Sequence, residues 1–262
     1  MKFFRMTSLL LILILLFAGC GTIDKQTGQT MTAGAGSVQE GGSETVEHPA
    51  KRGDARQACP NAIIDWVDVL MTGDIKYHHN YDGSAKVSDD QIGQKIGEVD
   101  FMMNEHACTG HVMKNGDAAF LPIGTEIYEL KGYKRDFRVV ADHKIYEVQE
   151  NPRATTLGDL LDIDGKVEKV SIESSNDGSH IRDFDAEASK AFVQELLPLA
   201  YVGFDAIYAK TKHAIDEGRV FLRVHLQDGT SLRAVYYPDA NAINPGAFGT
   251  EKLKEIIMSQ VK

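Results

Sequence analysis

The sequence lacks the short motifs that identify the commonest catalytic and nucleotide-binding sites. It has no GxGxxG or phosphate-binding glycine loop, no GxSxG nucleophile elbow and no HExxH zinc motif. Basic residues are also few, since 28 Lys and Arg stand against 38 Asp and Glu, and they form no basic stripe. A formal net charge of −10 without such a stripe argues against nucleic acid as a partner. No catalytic signature is left, so an enzyme is not the favoured class.

The first 19 residues have the three parts of a secretory signal. Lys2 and Arg5 give a positive start, an apolar run extends from Leu9 to Ala18, and small residues precede Cys20. The apolar run is shorter than the roughly 20 residues that cross a bilayer. The pattern therefore favours a cleaved signal over a transmembrane helix. Because the signal carries two basic and no acidic residues, its removal takes the net charge from −10 to −12.

The stretch LFAGC, which ends at Cys20, resembles the lipobox of bacterial lipoproteins, with Phe17 where leucine is usual. The resemblance implies that residues 1–19 are removed and that the Cys20 thiol carries a diacylglycerol. Two acyl chains hold a protein stably on a membrane. The implied location is the extracytoplasmic face of the cell membrane, with the membrane itself as a partner through the lipid. An ordinary secretory signal with an incidental cysteine is the alternative.

Composition then divides the mature chain into a tether and two folded parts. Residues 20–58 are rich in Gly, Ser, Thr and Glu with few large apolar side chains, which is typical of a flexible segment. A change of pattern near Pro152 and Gly158 indicates a boundary between a β-rich domain, 59–155, and an α+β domain, 156–262.

The first folded part is predicted to be a small, mostly antiparallel β domain. Residues 62–82 read as two strands around Gly73-Asp74, and three short β segments are expected at 125–130, 136–141 and 144–149. Residues 88–99 read as a short helical turn or a loop. The fold class that follows is α+β, with this β domain first.

The second part is predicted to carry two helices on an antiparallel sheet. Residues 166–174 read as a strand, and Asp228-Gly229 lies between two alternating strands, which is a strong hairpin signal. Asp183 or Asp185 is expected to cap one amphipathic helix, and Thr250 to cap a second at the C-terminus.

Two cysteines remain once Cys20 is lipidated. Cys59 and Cys108 make an even pair in an oxidising compartment, which is most simply a disulfide. Two free thiols are the alternative. The bond would close a loop of about 50 residues and stabilise the fold by roughly 2–4 kcal/mol.

One cluster has the side-chain types of a metal site. Glu105, His106, Cys108 and His111 offer carboxylate, imidazole and thiolate, all of which bind zinc. The spacing matches no known zinc motif, and His78 and His79 could join only if the fold brought them near. No cofactor is expected, and zinc at His106, Cys108 and His111 is the alternative.

The stretch GDAAFLPIGTEIYELKGYKRDFRV, followed by DGTSLRAVYY, resembles uncharacterised lipoproteins of spore-forming Gram-positive bacteria. That resemblance supports the anchor and the domain order and implies no activity. The leading hypothesis is a non-enzymatic binding or accessory protein of the cell envelope, whose protein or small-molecule partner the sequence does not identify. The alternative is a metal-dependent envelope enzyme or metal-binding protein.

Overall fold

The computed structural model describes residues 65–104, 106–211 and 218–261. Several residues singled out above lie outside these ranges: the signal 1–19, Cys20, the tether 20–58, Cys59 and Glu105. The described residues all belong to one compact unit, Glu47–Lys262. None of the helices among them is long and apolar enough to cross a membrane.

The first sheet has eight strands, joined mainly by hairpins. They are β1 (Val69–Thr72), β2 (Ile75–His79), β3 (Ile92–Glu98), β4 (Phe101–Met102), β5 (Asp117–Ala118), β6 (Glu126–Leu130), β7 (Arg138–Ala141) and β8 (Lys144–Glu150). Their order across the sheet is β3-β6-β7-β8-β2-β1-β5-β4. Neighbours are antiparallel except β4 and β5, which are parallel. The β segments predicted in this half correspond to β1, β2, β6, β7 and β8.

Tight two-residue turns join β1 to β2 and β7 to β8. Gly73 and Asp74 have φ values of +59° and +63°, and Asp142 and His143 have +51° and +58°. Two successive positive φ angles are the requirement of a type I′ turn, which matches the twist of the paired strands. The turn at Gly73-Asp74 is therefore confirmed.

The second sheet has six strands, and all of its pairs are antiparallel. They are β9 (Val167–Glu173), β10 (His180–Asp183), β11 (Val220–Leu226), β12 (Ser231–Tyr237), β13 (Ala242–Ile243) and β14 (Ala247–Phe248), in the order β10-β9-β11-β12-β13-β14. The hairpin predicted around Asp228-Gly229 is β11–β12. Alternate residues of β11 are buried, as a strand with one core-facing side requires.

Four helices occur in the described residues: α1 (Leu157–Leu160), α2 (Ala186–Leu196), α3 (Phe204–Thr211) and α4 (Glu251–Val261). Helices α2 and α4 are the two predicted ones, and α2 packs on both α4 and β9. The Asp185 side chain accepts the Ala188 N–H at 2.7 Å, so Asp185 rather than Asp183 caps α2. Thr250 Oγ1 accepts the Leu253 N–H at 3.0 Å and caps α4 as predicted.

The two sheets share one hydrophobic core. Val139 and Tyr146 of the first sheet, Leu222 and Tyr236 of the second, and Phe192 of α2 are fully buried in the same cluster. The expected α+β class is therefore confirmed at a coarse level, as a mixed chain dominated by strands.

Several elements differ from the sequence prediction. Residues 88–99 contain a single 3-10 turn, Asp89–Gln91, and then strand β3 instead of a loop. The strand was missed because Gly93 and Gly97 interrupt its alternation, and its register against β6 is irregular. Strand β10, helix α3 and the short pair β13–β14 were not predicted either.

Candidate functional site

A cleft of about 250 Å³ lies where the two sheets meet, and it is called the inter-sheet cleft below. One wall is formed by the end of β2 and by β8, and the other by β11 and β12. Its lining contains charged side chains of both signs, including Glu147, Arg223 and Arg233, together with the predicted His78 and His79. Concave sites with converging polar groups are where proteins most often bind ligands.

Two arginines in this cleft share one carboxylate. Arg223 and Arg233 lie directly opposite each other in the β11–β12 hairpin. Glu173 of the adjacent strand β9 is buried, and each of its carboxylate oxygens accepts from one arginine: Oε1 from Arg223 Nε, and Oε2 from Arg233 Nε at 3.0 Å. Two like charges face to face would destabilise the hairpin, and Glu173 offsets that repulsion. The pair still carries one positive charge more than its carboxylate cancels.

The terminal nitrogens of the two guanidinium groups differ in their surroundings. Arg223 Nη1 donates to Ser231 Oγ at 3.0 Å and to the Asp82 carbonyl at 3.3 Å. The terminal nitrogens of Arg233 contact no acceptor among the residues described, and its side chain is 40% exposed. A guanidinium held at Nε, with its fork open to a cleft, is arranged to receive a carboxylate or a phosphate in two parallel hydrogen bonds.

An ion pair connects Glu147 in the lining of the cleft to Arg138 behind it. Arg138 of β7 is fully buried, and its Nη2 donates to Glu147 Oε1 at 2.6 Å. Its Nη1 donates to Thr230 Oγ1 at 2.7 Å, so this one side chain connects the first sheet to the β11–β12 turn. Asn80 Nδ2 donates to Glu147 Oε1 at 2.5 Å and to the Ser231 carbonyl at 2.8 Å, which adds a second connection.

Burial has a clear electrostatic consequence for Glu147. It raises the pKa of the carboxyl above its ordinary value, although the adjacent Arg138 and Asn80 act in the opposite direction. Loss of hydration penalises the charged carboxylate more than these two partners stabilise it.

The two predicted histidines have different neighbours. His78 lies opposite Glu147, and His79 lies opposite Tyr146. Consecutive residues of a strand point to opposite faces, so the two rings do not converge on one ligand. His79 Nδ1 is 3.2 Å from Asp68 Oδ2, and Tyr146 donates its hydroxyl to Asp68 Oδ1 at 3.1 Å.

Burial also disfavours the charged form of both imidazoles. It lowers the pKa of His78 to about 4, with a smaller contribution from the positive charge of Lys76. Burial lowers the pKa of His79 as well, against the opposing effect of Asp68. The positive charge of the inter-sheet cleft therefore comes from its arginines.

The predicted metal cluster lies elsewhere, in the loop after β4. His111 Nε2 is 2.8 Å from Asp117 Oδ2, and His106 Nδ1 is 2.9 Å from the Asn104 carbonyl. Cys108 is disulfide-bonded, so its sulfur is not a thiolate ligand. The ranges that the structure describes contain no group of three or more His, Cys, Asp or Glu side chains that could hold a metal. Zinc at His106, Cys108 and His111 gains no support from this geometry.

The predicted partner of Cys108 is Cys59, which lies outside the described ranges. The pairing of Cys59 with Cys108 therefore stays a prediction.

Sequence reasoning missed the arginine pair, although a signal for it was present. Residues 223 and 233 are equally distant from Asp228, at the centre of the predicted hairpin turn, which places the two arginines opposite each other. Like charges directly opposite each other destabilise a hairpin, so a nearby carboxylate would be favourable. Which carboxylate supplies it depends on the pairing of β9 with β11, to which no local pattern points.

No family model, curated protein or solved structure matches this chain.

Proposed function

We propose that the protein is a lipid-anchored, non-enzymatic binding protein on the extracytoplasmic face of the cell membrane. Its inter-sheet cleft holds the carboxylate group of an envelope ligand. The signal and LFAGC stretch ending at Cys20 support the anchor. The proposal keeps the predicted division into residues 59–155 and 156–262, with the cleft where the first sheet meets the second.

The observation that carries the binding role is the open guanidinium of Arg233. Glu173 holds its Nε at 3.0 Å, so the side chain is already oriented before a ligand arrives. Preorganisation reduces the side-chain entropy that binding costs. A carboxylate fits the fork, because two oxygens can accept two parallel N–H groups.

Binding is favoured over turnover because the carboxylates beside His78 and His79, those of Glu147 and Asp68, are already engaged. Glu147 pairs with Arg138, and Asp68 accepts from Tyr146. Such groups act as fixed charges and hydrogen-bond partners. The metal-dependent alternative is not favoured, since Cys108 is in a disulfide and His111 bonds Asp117.

The anchor is tested by replacing the lipidated residue. Cells expressing the full chain or its Cys20→Ser variant are fed an alkyne-labelled fatty acid and separated into membrane and soluble fractions. The full chain is expected to carry the label and sediment with membranes, while the variant does neither. Equal labelling of both proteins would contradict the anchor.

The binding role is tested by calorimetry with two simple carboxylates of envelope type, glucuronate and acetyl-Ala-Ala. The full chain is expected to bind one of them, and Arg233→Gln to weaken that binding about tenfold or more. Arg233→Lys keeps the positive charge and loses the forked pair of N–H groups, so its affinity for the carboxylate should be close to that of Arg233→Gln. Arg219→Gln removes an exposed arginine outside the cleft and is the matched control. Full affinity in Arg233→Gln would refute the proposal, and so would failure of both probes to bind.

A further inference from the structure

A second cleft, of about 330 Å³, lies on the other side of the Arg138 ion pair. It is called the lysine cleft below, because Lys86, Lys131 and Lys166 all line it. Asp228 is the one acidic residue in its lining. In a chain with 38 acidic and 28 basic residues, three lysines against one aspartate reverse the local sign of charge.

Two of the three ammonium groups form no salt bridge with a carboxylate among the residues described. Lys86 is exposed and makes no ion pair there, and Lys131 Nζ donates to a neutral acceptor, the Asp90 carbonyl, at 2.8 Å. Lys166 is balanced by Asp162, whose Oδ2 is 2.8 Å away. The charge of Lys131 also helps to lower the pKa of the exposed Asp90 carboxyl, so Asp90 offsets part of that charge. Lys86 and Lys131 are nevertheless not held in a close ion pair and can turn toward a ligand.

The single acid of the cleft is already occupied. Asp228 Oδ2 accepts the Tyr133 hydroxyl at 2.7 Å, and Oδ1 accepts the Thr230 hydroxyl at 2.7 Å. In addition, Arg138 Nη1 lies 3.9 Å from Asp228 Oδ2. The carboxylate is thus held in the wall by its neighbours and does not neutralise Lys86 or Lys131.

The floor of the cleft is apolar. Val87, Leu130 and Ile145 line it and belong to a small hydrophobic cluster of their own. A ligand that fits such a site has a compact organic body on the floor and an anionic group at the rim. Two ammonium groups in one cleft suit a dianion, and lysine is a common phosphate binder. The volume is in the range of small-molecule sites, which starts at about 300 Å³.

We propose that the lysine cleft is a second binding site, which takes the phosphate group of a small phosphomonoester. The phosphate lies between Lys86 and Lys131, and the organic part covers Val87 and Ile145. The lysine cleft and the inter-sheet cleft have no lining residue in common.

The test compares three sources of phosphate by calorimetry on the full chain: inorganic phosphate, glycerol 3-phosphate and vesicles of phosphatidylglycerol. The vesicle arm uses the full chain with Cys20→Ser, so that a lipid anchor does not mediate binding. Glycerol 3-phosphate is expected to bind with a Kd of about 1 mM or tighter, and more tightly than inorganic phosphate. Raising the salt concentration should weaken the binding of glycerol 3-phosphate, because salt screens the charge of ammonium groups that lie near solvent.

Variants then assign the binding to the cleft. Lys86→Gln with Lys131→Gln should weaken binding about tenfold or more, with an unchanged unfolding midpoint. Lys190→Gln with Lys254→Gln removes the same charge from α2 and α4 and should leave binding unchanged. Arg233→Gln should also leave it unchanged, which separates this site from the carboxylate site.

Four results would overturn the proposal: no binding of glycerol 3-phosphate, binding of vesicles alone, equal weakening in the control pair, or full affinity in the Lys86 and Lys131 variant. Equal affinity for inorganic phosphate would overturn the role of the apolar floor.

Discussion

The ion pair between Arg138 and Glu147 yields the sharpest prediction. If Glu147 is removed, Arg138 stays charged, whereas if Arg138 is removed, Glu147 can become neutral. Glu147→Gln leaves a fully buried guanidinium, which cannot lose its proton. Removing one partner of a buried pair costs about 3–5 kcal/mol. The Asp228 carboxylate at 3.9 Å, the Thr230 hydroxyl, the rings of Tyr133 and Phe137 and the new amide still surround Arg138. We therefore expect about 3 kcal/mol, the lower end of that range.

The reverse change leaves a group that can become neutral. Arg138→Met keeps much of the side-chain volume and places no new charge beside Glu147. Burial already raises the pKa of Glu147, and loss of Arg138 raises it further. A carboxyl can become neutral by taking up a proton, which a guanidinium cannot, so the expected cost is smaller, about 2 kcal/mol.

The pH dependence has a definite sign. A folded-state pKa above the unfolded one means that the folded chain holds the proton more tightly. That contribution to stability is complete below the unfolded pKa and is lost as pH rises through the folded pKa. Arg138→Met should therefore lose less stability at about pH 5 than at pH 7. The stability loss of Glu147→Gln should be the same at both pH values, because the new amide does not titrate.

Urea unfolding of the two single variants and the double variant, at both pH values, measures these differences. The double variant should be more stable than the sum of the single effects predicts, by about 1 kcal/mol or more. Equal losses in both single variants at both pH values would refute the reasoning, as would simple additivity.

Three further predictions concern single sites. Asp185→Ala should cost about 1 kcal/mol in urea unfolding, because the cap on Ala188 N is lost, whereas Glu187→Ala in the same turn should change little. Gly73→Ala should cost about 1 kcal/mol, because φ is +59°, while Gly110→Ala, which has no positive φ and no atom near a new Cβ, is its control. In an NMR titration the His78 imidazole should show an apparent pKa of about 4, and Lys76→Gln should raise that pKa. Because the folded pKa is depressed, this histidine reduces stability as pH falls below its unfolded value, and a His78 pKa near 6.5 would contradict the burial argument.

Elements with strong local signals were predicted well. The turn at Gly73-Asp74 needs two positive φ angles, the Asp228-Gly229 hairpin has alternating strands on both sides, and α2 and α4 have both a cap and an apolar stripe. Each of these signals lies within a few adjacent residues, where chain stereochemistry acts directly.

Elements that depend on distant partners were missed. Strand β3 is an edge strand interrupted by two glycines, and it is ordered by pairing with β6. Helix α3 has only one buried residue, Ile207, so its apolar stripe is too weak to identify it from sequence.

The candidate site shows the same division. Alternation along β2 already places His78 and His79 on opposite faces, and symmetry about Asp228 already places Arg223 opposite Arg233. Glu173 joins the arginines only because β9 pairs with β11, and Glu147 meets Arg138 because β8 pairs with β7.

Burial is likewise a property of the folded chain. The same glutamate that titrates normally in water has a raised pKa once two sheets exclude solvent from it. Turns, caps and strand alternation follow from neighbouring residues, because backbone angles and side-chain direction are local. Pairing of charges and loss of hydration follow from contacts across long chain separations, and those contacts form only when the two sheets close on their common core.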